Sequence, residues 1–251
     1  MDLQLTGKRA VVTGGSRGIG FAIASALAAE GADVALLARD PGRLAAAAKE
    51  LSRTGRRVLT LAADTTDDTA VRAAIARTAA ELGGVDILVN NAADPAGPGT
   101  PRALADLVDA DLLAAVDAKV LGYLRCARAA APYMIAQGWG RIINIGGLAA
   151  RSTGLPSGSI RNIGVAALSK SLADELGPSG INVTVVHPGM TVTERTPVVP
   201  AGYPATRSSI GRVVTAAEVA DVVAFLASPR SVAINGDTIT AGGGTPGVIY
   251  Y

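Results

Sequence analysis

The sequence predicts an α/β fold, a doubly wound parallel sheet of about seven strands with helices on both faces. Short apolar runs of strand length alternate along the chain with helical patterns of roughly ten residues or more, an order typical of parallel sheets covered by helices. The chain of 251 residues has no linker-like stretch and no internal repeat. One domain over residues 1–251 is therefore the simplest prediction.

The predicted strands are apolar runs bounded by turn residues. They cover residues 9–13, 34–38, 57–62, 85–89, 140–145, 181–186 and 238–240. The predicted helices carry end signals, such as Pro41 after Asp40 at a start and Gly31 at an end. They cover residues 21–30, 41–52, 68–82, 102–137 as two helices, 157–176 and 216–227. Residues 190–215, rich in Pro, Gly, Ser and Thr, are predicted to form a mobile loop over the substrate.

The charge and the hydropathy of the sequence argue against a nucleic-acid-binding protein and against a membrane protein. The net charge is only +2 and no basic stripe is present, so nucleic acid is not an expected partner. No apolar run approaches the roughly 18 residues of a membrane span, and no secretory leader precedes the first strand. We therefore expect a soluble, cytoplasmic protein without a membrane partner. The single cysteine, Cys126, is interpreted as a small buried residue, and the single histidine, His187, excludes a histidine metal cluster.

The glycine-rich turn after the first strand predicts a phosphate site. Gly14, Gly18 and Gly20 lie between an apolar strand and a helical pattern, which is the context that a dinucleotide-binding turn requires. Glycines permit a tight turn, close approach of the backbone to a pyrophosphate and close packing of the helix on the strand. The helix N-terminus then offers free N–H groups to phosphate oxygens. We therefore expect a dinucleotide cofactor at this turn.

Other motifs follow the ends of the predicted strands, where a doubly wound sheet binds its ligands. They are Asp64, Asn90-Asn91-Ala92-Ala93, Pro188-Gly189 and Gly242-Gly243. Together with Thr13-Gly14-x-x-x-Gly18-x-Gly20, this set resembles the short-chain dehydrogenase/reductase family over almost the whole chain. The resemblance implies a Rossmann fold and a nicotinamide cofactor. It also implies a homodimer or homotetramer that pairs through the helices near residues 112–136 and 157–177.

The cofactor contacts implied by the glycine turn and the resemblance all lie at strand ends. They are Gly14, Ser16, Arg17, Gly18, Ile19, Gly20, Arg39, Asp64, Thr65, Asn91, Ala92, Ala93, Pro188, Gly189, Thr191 and Thr193. Arg39 favours NADP(H) over NAD(H), because it follows the second strand where an NAD site usually has an acidic residue, and because a guanidinium suits a 2′-phosphate. Arg17 is placed to reach the same phosphate, and a solvated surface arginine is the alternative for Arg39. Asp40 is interpreted as the cap of the helix that begins at Pro41.

The resemblance implies four catalytic side chains, Asn, Ser, Tyr and Lys, with the Tyr and Lys one helical turn apart. Counted from the matching helix at residues 165–176, these positions hold Lys119, Gly147, Gly158 and Asn162. None of the five tyrosines is followed by a lysine four residues later. The sequence therefore predicts that the standard Ser-Tyr-Lys mechanism is absent and that no metal replaces it.

Lys119 and Asn162 are the catalytic candidates that remain, because Lys stands where the family has Asn and Asn stands where it has Lys. An ammonium from Lys119 would then lie near the ribose or the substrate, with Asn162 bonded to it. The alternative is a lysine on the helix surface that reaches solvent. Tyr203, in the predicted loop, is a further proton-donor candidate, and His187 is interpreted as structural.

Three functions stay open on the sequence. The first is an NADP(H)-dependent oxidoreductase of a small carbonyl or alcohol substrate with a divergent proton donor. The second is a cofactor-binding, inactive partner subunit of an active homologue, in a hetero-oligomer. The third is a non-redox enzyme that uses Lys119 as a base or electrostatic group. Arg195, Arg207 and Arg212 would suit an anionic carrier, although solvated loop arginines are the simpler interpretation.

Overall fold

The computed structural model describes residues 1–93, 104–194 and 208–249. Its strands are β1 (Arg9–Thr13), β2 (Asp33–Ala38), β3 (Val58–Ala62), β4 (Ile87–Asn90), β5 (Gly140–Ile145), β6 (Ile181–Pro188), β7 (Thr191–Val192), β8 (Val214–Thr215) and β9 (Thr238–Ala241). Seven of them form a parallel sheet in the order β3-β2-β1-β4-β5-β6-β9, while β7 pairs with β8. The strand order reverses direction between β3 and β4, so the predicted doubly wound sheet is confirmed.

The helices that connect these strands begin and end close to the predicted positions. They are α1 (Gly18–Ala29), α2 (Pro41–Leu51), α3 (Asp68–Leu82), α4 (Asp109–Val116), α5 (Gly122–Gln137), α6 (Pro156–Leu176) and α7 (Ala216–Ala227). A π-helical turn, Asp117–Leu121, joins α4 to α5. The carboxylate of Asp40 accepts a hydrogen bond of 3.1 Å from the backbone N–H of Arg43, which confirms its interpretation as the cap of α2.

Two apolar layers cover the two faces of the sheet. Successive strand residues point to opposite faces, so Val12 and Val11 of β1 belong to different layers. Helices α1, α2 and α7 supply the layer around Val12, and α3, α5 and α6 supply the layer around Val11. Cys126 lies in the second layer with no exposed surface, and burial raises the pKa of its thiol to about 12. The interpretation of this cysteine as a buried core residue is confirmed.

Two predicted segments need correction. Residues 102–137 were expected to form two helices, and the structure has two, α4 and α5, which the π-helical turn joins; within the described part, however, the first of them begins at Asp109. Residues 190–215 were expected to be loop throughout, yet β-branched residues at both ends form β7 and β8, which pair in parallel. The first helix begins at Gly18, three residues before its predicted start. The differences of one or two residues at other ends are of the size at which helix and strand ends fray.

No helix in the described ranges is both long enough and apolar enough to span a bilayer.

Candidate functional site

A cleft of about 1720 Å³ lies beyond the carboxyl ends of the strands. The sheet topology explains its position, because the strand order changes direction between β1 and β4 and leaves a crevice there. One end of the cleft is lined by the glycine turn before α1 and by the residues after β2 and β3. The other end, which we name the inner cleft, is lined by Lys119, residues 146–149 and 151–155, Arg161 and Asn162.

The glycine turn has the backbone geometry of a phosphate cradle. Gly14 and Gly18 have φ values of 64° and 57°, in the left-handed region that favours glycine. A Cβ on Gly20 would lie 2.3 Å from the carbonyl oxygen of Gly14, so only glycine fits beneath the turn. A Cβ on Gly18 would have no neighbour closer than 3.8 Å and would project into the open cleft. The empty space over Gly18 and the free N–H groups of α1 fit the diphosphate of a dinucleotide.

Thr13 and Asn91 hold the turn against the end of β4. The hydroxyl of Thr13 accepts hydrogen bonds from the backbone N–H groups of Asn91 and Ala92 at 2.9 and 3.0 Å. The amide Nδ2 of Asn91 donates to the carbonyl oxygens of Thr13 and Gly14 at 3.2 and 3.3 Å. The two strand ends are therefore fixed to each other, and the floor of the cleft is preorganised.

Arg39 and Asp64 face each other at the outer end of the cleft. The guanidinium Nη1 of Arg39 lies 3.7 Å from the carboxylate of Asp64, and 63% of the Arg39 side chain is exposed. Burial acts to raise the pKa of Asp64, but hydrogen bonds from Thr66 and the charge of Arg39 hold it below its usual range. An exposed pair at this distance is a weak interaction, so the guanidinium is free to bind another anion.

Lys119 is buried at the inner end of the cleft, with 5% of its surface exposed. It lies in the π-helical turn, and its Nζ donates to the carbonyl oxygen of Gly146 and to Oδ1 of Asn162, both at 2.8 Å. The alternative of a lysine that reaches solvent from the helix surface is therefore wrong. The π-helical turn inserts an extra residue into the helix, and the local sequence carries no signal for it.

Burial and charge alter the basicity of Lys119. Desolvation lowers the pKa of this lysine to about 7, and the positive charge of Arg161 acts in the same direction. Nζ uses two of its N–H groups to donate hydrogen bonds to Gly146 and Asn162. The remaining position on the nitrogen holds the third proton when the side chain is a charged ammonium and a lone pair when it is a neutral amine. Near neutral pH this group is therefore able to give or take a proton.

His187 supports the loop that follows β5. It is 1% exposed, and its Nδ1 accepts a hydrogen bond of 2.8 Å from the backbone N–H of Gly147. Burial lowers the pKa of its imidazole to about 4, with smaller contributions from the charges of Arg151 and Lys119. A Cβ on Gly146 would lie 2.1 Å from Nδ1, so the ring packs directly against this glycine. A neutral, buried, hydrogen-bonded ring agrees with the structural interpretation of His187.

Gly147 and Gly158 leave space around Asn162. A Cβ on Gly147 would lie 3.2 Å from Nδ2 of Asn162, while a Cβ on Gly158 would make ordinary contacts of 3.4 and 3.5 Å with Ala149 and Leu155. Nδ2 of Asn162 makes no hydrogen bond to any residue of the described ranges, although the residue is 3% exposed. The amide N–H₂ group of Asn162 is therefore a free donor at the inner cleft.

The structure brings most of the predicted site residues together. Among the sixteen predicted cofactor contacts, all except Gly20 line the cleft, and Gly20 lies beneath it. Lys119, Gly147 and Asn162 line the inner cleft, whereas Gly158 is buried in α6 and is not among the residues that line it. Tyr203, Arg195 and Arg207 lie outside the described residues, and Arg212 pairs with Glu218 at 2.8 Å.

Two cationic residues of the inner cleft were not among the predicted site residues. Arg151 follows β5 and Arg161 lies in α6. Arg161 follows Gly158 by three residues, so helical periodicity was the signal that could have placed it on the same face. Within the described part of the chain there is no group of three or more His, Cys, Asp or Glu side chains that could hold a metal ion.

Sequence comparisons match this chain to known proteins over nearly its whole length. The family model described as short chain dehydrogenase matches residues 8–203. The short-chain reductase protein NovJ of Streptomyces niveus is 34% identical over 250 residues, which cover 94% of this chain and 93% of that protein. The cis-4-hydroxycyclohexanecarboxylate dehydrogenase of Sinomonas cyclohexanicum is 36% identical over 246 residues, with 94% and 95% covered.

Solved structures agree with these relatives. L-Sorbose reductase from Gluconobacter frateurii, complexed with NADPH and L-sorbose, superimposes with a TM-score of 0.90 at 31% identity, covering 99% of this chain and 100% of that one. A 7α-hydroxysteroid dehydrogenase complexed with NADH has a TM-score of 0.90 at 28% identity, with 97% and 96% covered. Both types of nicotinamide cofactor therefore occur among the similar structures.

Proposed function

The chain belongs to the short-chain dehydrogenase family of oxidoreductases, and we propose that it is an NADP(H)-dependent oxidoreductase whose proton donor is Lys119. Its substrates in this proposal are small carbonyl compounds or the corresponding alcohols. The observation that carries the proposal is the position of the Lys119 amine. It lies in the inner cleft, fixed by Gly146 and Asn162, with a pKa of about 7.

The departure from the family pattern supports a divergent proton donor. By the resemblance described above, the family's Asn, Ser, Tyr and Lys positions hold Lys119, Gly147, Gly158 and Asn162. A lysine amine is retained, but it comes from the helix before α5 instead of from α6. Because glycine offers no proton, Gly147 and Gly158 leave Lys119 as the titrating side chain bonded to Asn162.

The outer cleft supports a phosphorylated dinucleotide. Gly14, Gly18 and the N-terminus of α1 would hold the diphosphate, and Arg39 would bind a 2′-phosphate. L-Sorbose reductase is complexed with NADPH and the 7α-hydroxysteroid dehydrogenase with NADH, so the proposed choice between them rests on Arg39. When bound, NADPH supplies the hydride for carbonyl reduction.

The protein's own contribution is a proton and a fixed geometry. The Lys119 ammonium donates its third proton to the carbonyl oxygen of the substrate as this oxygen gains negative charge. The resulting amine keeps its two hydrogen bonds to Gly146 and Asn162, so its position does not change during the reaction. Solvent then returns a proton to the amine. The free N–H₂ of Asn162 is available to bind the same oxygen and to orient it.

A second candidate function has an observation of its own in its favour. Gly158 stands where the family's proton donor is expected, which suits an inactive subunit that binds cofactor and supports an active homologue. Exposed apolar side chains on the neighbouring helices α4 and α6 suit either a homo-oligomer or such a hetero-oligomer; they are Leu113, Ile160 and Ile163, at 69%, 46% and 52% exposure. We favour pairing with a second copy, which light scattering of the purified protein would detect as twice the chain mass.

The proposal also includes the cellular location of the protein and its ligands other than the cofactor. We propose a cytoplasmic protein, because a single cysteine in 251 residues permits no internal disulfide and suits a reducing compartment. A small substrate is the only ligand proposed besides the cofactor.

The deciding experiment measures NADPH consumption by the purified protein with a panel of ketones and aldehydes. Turnover with at least one carbonyl compound, together with loss of this turnover when Lys119 is replaced, is the expected result. NADPH binding without turnover, and restoration of turnover by an active homologue that co-purifies with the chain, would instead establish the inactive subunit.

A further inference from the structure

The inner cleft carries more positive charge than the cofactor explains. Lys119, Arg151 and Arg161 line it. Among the described residues that line the whole cleft, the carboxylates are Asp40, Asp64 and Asp117, and the first two lie at the outer end. Asp117 is already paired with Arg125 at 2.7 Å. No carboxylate among the described residues that line the inner cleft is therefore left to balance the charges of Lys119 and Arg161.

Arg161 is a cation of the inner cleft that lacks a carboxylate partner in the described ranges. It lies on the cleft face of α6, three residues after Gly158 and beside Asn162. Its Nε is buried and has no hydrogen-bond partner, and no carboxylate in the described ranges forms an ion pair with this guanidinium. By contrast Arg9, Arg57 and Arg125 each pair with an aspartate. A buried N–H group without a hydrogen-bond partner is unfavourable. Arg161 is half-buried, so the rest of its guanidinium remains accessible from the cleft, and a bound anion would supply the missing partner.

Arg161 also acts on Lys119. Its charge opposes protonation of the Lys119 amine, so the two cations repel each other across the inner cleft. The proposed binding of the diphosphate at the glycine turn and of the 2′-phosphate at Arg39 places no anion near Arg161. An anion that relieves the repulsion must therefore come from another molecule.

We propose that the substrate is an oxo acid, with its carbonyl group at Lys119 and its carboxylate bound by Arg161. The substrate class rests on the proposed function, whereas the carboxylate site rests on Arg161 alone. A guanidinium presents a planar fork of donors that matches the two oxygens of a carboxylate. The free N–H₂ group of Asn162 is a neighbouring donor for the same ligand.

Binding of the carboxylate has a consequence for the chemistry. A negative charge beside Arg161 cancels its repulsion of Lys119, so the ammonium form of Lys119 becomes more stable in the complex. Binding of an oxo acid therefore favours the protonated form of Lys119, which is the form that donates the proton. The methyl ester of the same acid has no negative charge and does not have this effect, so the site is expected to select acids over esters.

The test measures equilibrium binding without turnover. The NADP⁺-saturated protein is titrated by calorimetry with three matched pairs: pyruvate and methyl pyruvate, acetoacetate and methyl acetoacetate, and levulinate and methyl levulinate. Because NADP⁺ carries no hydride to give, no substrate is consumed. We expect at least one acid to bind about 10- to 100-fold more tightly than its ester, the range for a hydrogen bond to a charged group.

Variants assign the effect to Arg161. Arg161→Gln is expected to abolish the preference for the acid, and Arg161→Lys to retain part of it. Lys170→Gln is the matched control, because Lys170 lies on the same helix, is 60% exposed and is outside the cleft. This control is expected to keep the full preference. Circular dichroism confirms that each variant is folded before titration.

The outcomes separate this inference from the proposed function. Acid binding that depends on Arg161 supports the carboxylate site even if NADPH is never oxidised. Equal binding of acids and esters, no binding of either, or a preference unchanged in Arg161→Gln overturns the site, even if neutral ketones are reduced. Tighter binding of hydroxyacetone phosphate than of every oxo acid overturns the carboxylate assignment in favour of a phosphate.

Discussion

Lys119 and Asn162 are joined by a hydrogen bond of 2.8 Å between Nζ and Oδ1, which connects the π-helical turn to α6 across the inner cleft. Both side chains are almost fully buried. A buried amine is held most firmly when its acceptors are fixed, and here one acceptor is the Gly146 carbonyl and the other is this amide. The bond therefore sets the position of the proposed proton donor.

Replacement of Lys119 by methionine removes the titrating group and keeps most of the side-chain volume. Under the proposed function, kcat for carbonyl reduction is expected to fall about 100- to 10,000-fold, the usual contribution of general acid catalysis. The affinity for NADPH is expected to change little, because Lys119 lies at the opposite end of the cleft from the glycine turn. Steady-state kinetics and fluorescence titration with NADPH measure the two effects.

The matched control is Lys170→Met, an exposed lysine on α6 that makes an ion pair with Asp174. It is expected to keep full activity. If Lys119→Met were folded, bound NADPH normally and reduced its substrate at the wild-type rate, Lys119 would have no part in the chemistry.

The pH dependence of stability follows from the lowered pKa of Lys119. In the unfolded chain the pKa is about 10.5, and in the folded protein it is about 7. Between these values the unfolded state binds a proton that the folded state does not, so the free energy of unfolding rises with pH across this window. The slope from this residue is at most about 1.4 kcal/mol per pH unit. His187 titrates below this window in both states, because its pKa is about 4 in the folded protein and the ordinary value of its imidazole is 6.5.

Urea denaturation of the wild type and Lys119→Met between pH 7 and pH 10 isolates this contribution. The free energy of unfolding of the wild type is expected to increase relative to that of the variant as pH rises. Parallel curves for the two proteins would show that Lys119 is protonated to the same extent in the folded and unfolded states.

Gly20 and Gly158 differ in the space that surrounds an added Cβ. In Gly20→Ala the new Cβ would lie 2.3 Å from the carbonyl oxygen of Gly14 and 2.4 Å from Nδ2 of Asn91. We expect a loss of about 1–3 kcal/mol of stability, as for other overpacked sites, together with loss of NADPH binding. Gly158→Ala makes only ordinary contacts, and the helix gains roughly 0.5–1 kcal/mol from the replacement of glycine by alanine. Urea denaturation compares the two, and equal stability of both variants would contradict the crowding at Gly20.

The fold and the outer cleft could be predicted because their signals are local. Glycines at fixed spacing require particular backbone angles, and apolar runs separated by helical patterns require a parallel sheet. Arg39 was predicted to be near a phosphate from its place after β2, and the structure has it exposed at the cleft. Each of these inferences depends on a few consecutive residues.

The inner cleft could be predicted only in part, because its geometry depends on contacts between distant residues. The bond of Lys119 to Asn162 was proposed from the exchange of two residue types, but the burial of Lys119 depends on the π-helical turn, which no residue pattern indicated. The unpaired state of Arg161 depends on which carboxylates lie nearby, and these come from several elements. Helical periodicity in the sequence identifies which residues share a helix face, but it does not show which charged residues of other elements lie opposite that face.

Arg39 determines the proposed preference for NADP(H). Arg39→Ala removes the guanidinium from the outer cleft, and its loose pair with Asp64 at 3.7 Å contributes little to stability. We expect NADPH affinity to fall about 10- to 100-fold, the range for loss of a charged hydrogen bond, and NADH affinity to change little. Fluorescence titration with both cofactors measures this, with Arg53→Ala as the control, because Arg53 is an exposed arginine in the short 3-10 turn that follows α2. Tighter binding of NADH than of NADPH by the wild type would reverse the proposed preference.

Restoration of the family's four side chains tests how far the divergence accounts for the chemistry. The variant combines Lys119→Asn, Gly147→Ser, Gly158→Tyr and Asn162→Lys. The crowding of 3.2 Å between a Cβ at Gly147 and Nδ2 of Asn162 is relieved because the amide is replaced in the same variant, and a Cβ at Gly158 has ordinary room. We expect Lys119→Asn alone to lose carbonyl reduction, because it removes the proposed proton donor, and the combined variant to regain it with a tyrosine as donor. Its rate is expected to depend on pH differently from that of the wild type, since the lysine with a pKa of about 7 is gone.

NADPH consumption between pH 6 and pH 10 compares the wild type, Lys119→Asn and the combined variant. A combined variant that is folded and binds NADPH but stays inactive, beside an active wild type, would mean that the cleft no longer accommodates the standard arrangement. Activity of Lys119→Asn equal to that of the wild type would remove Lys119 from the mechanism.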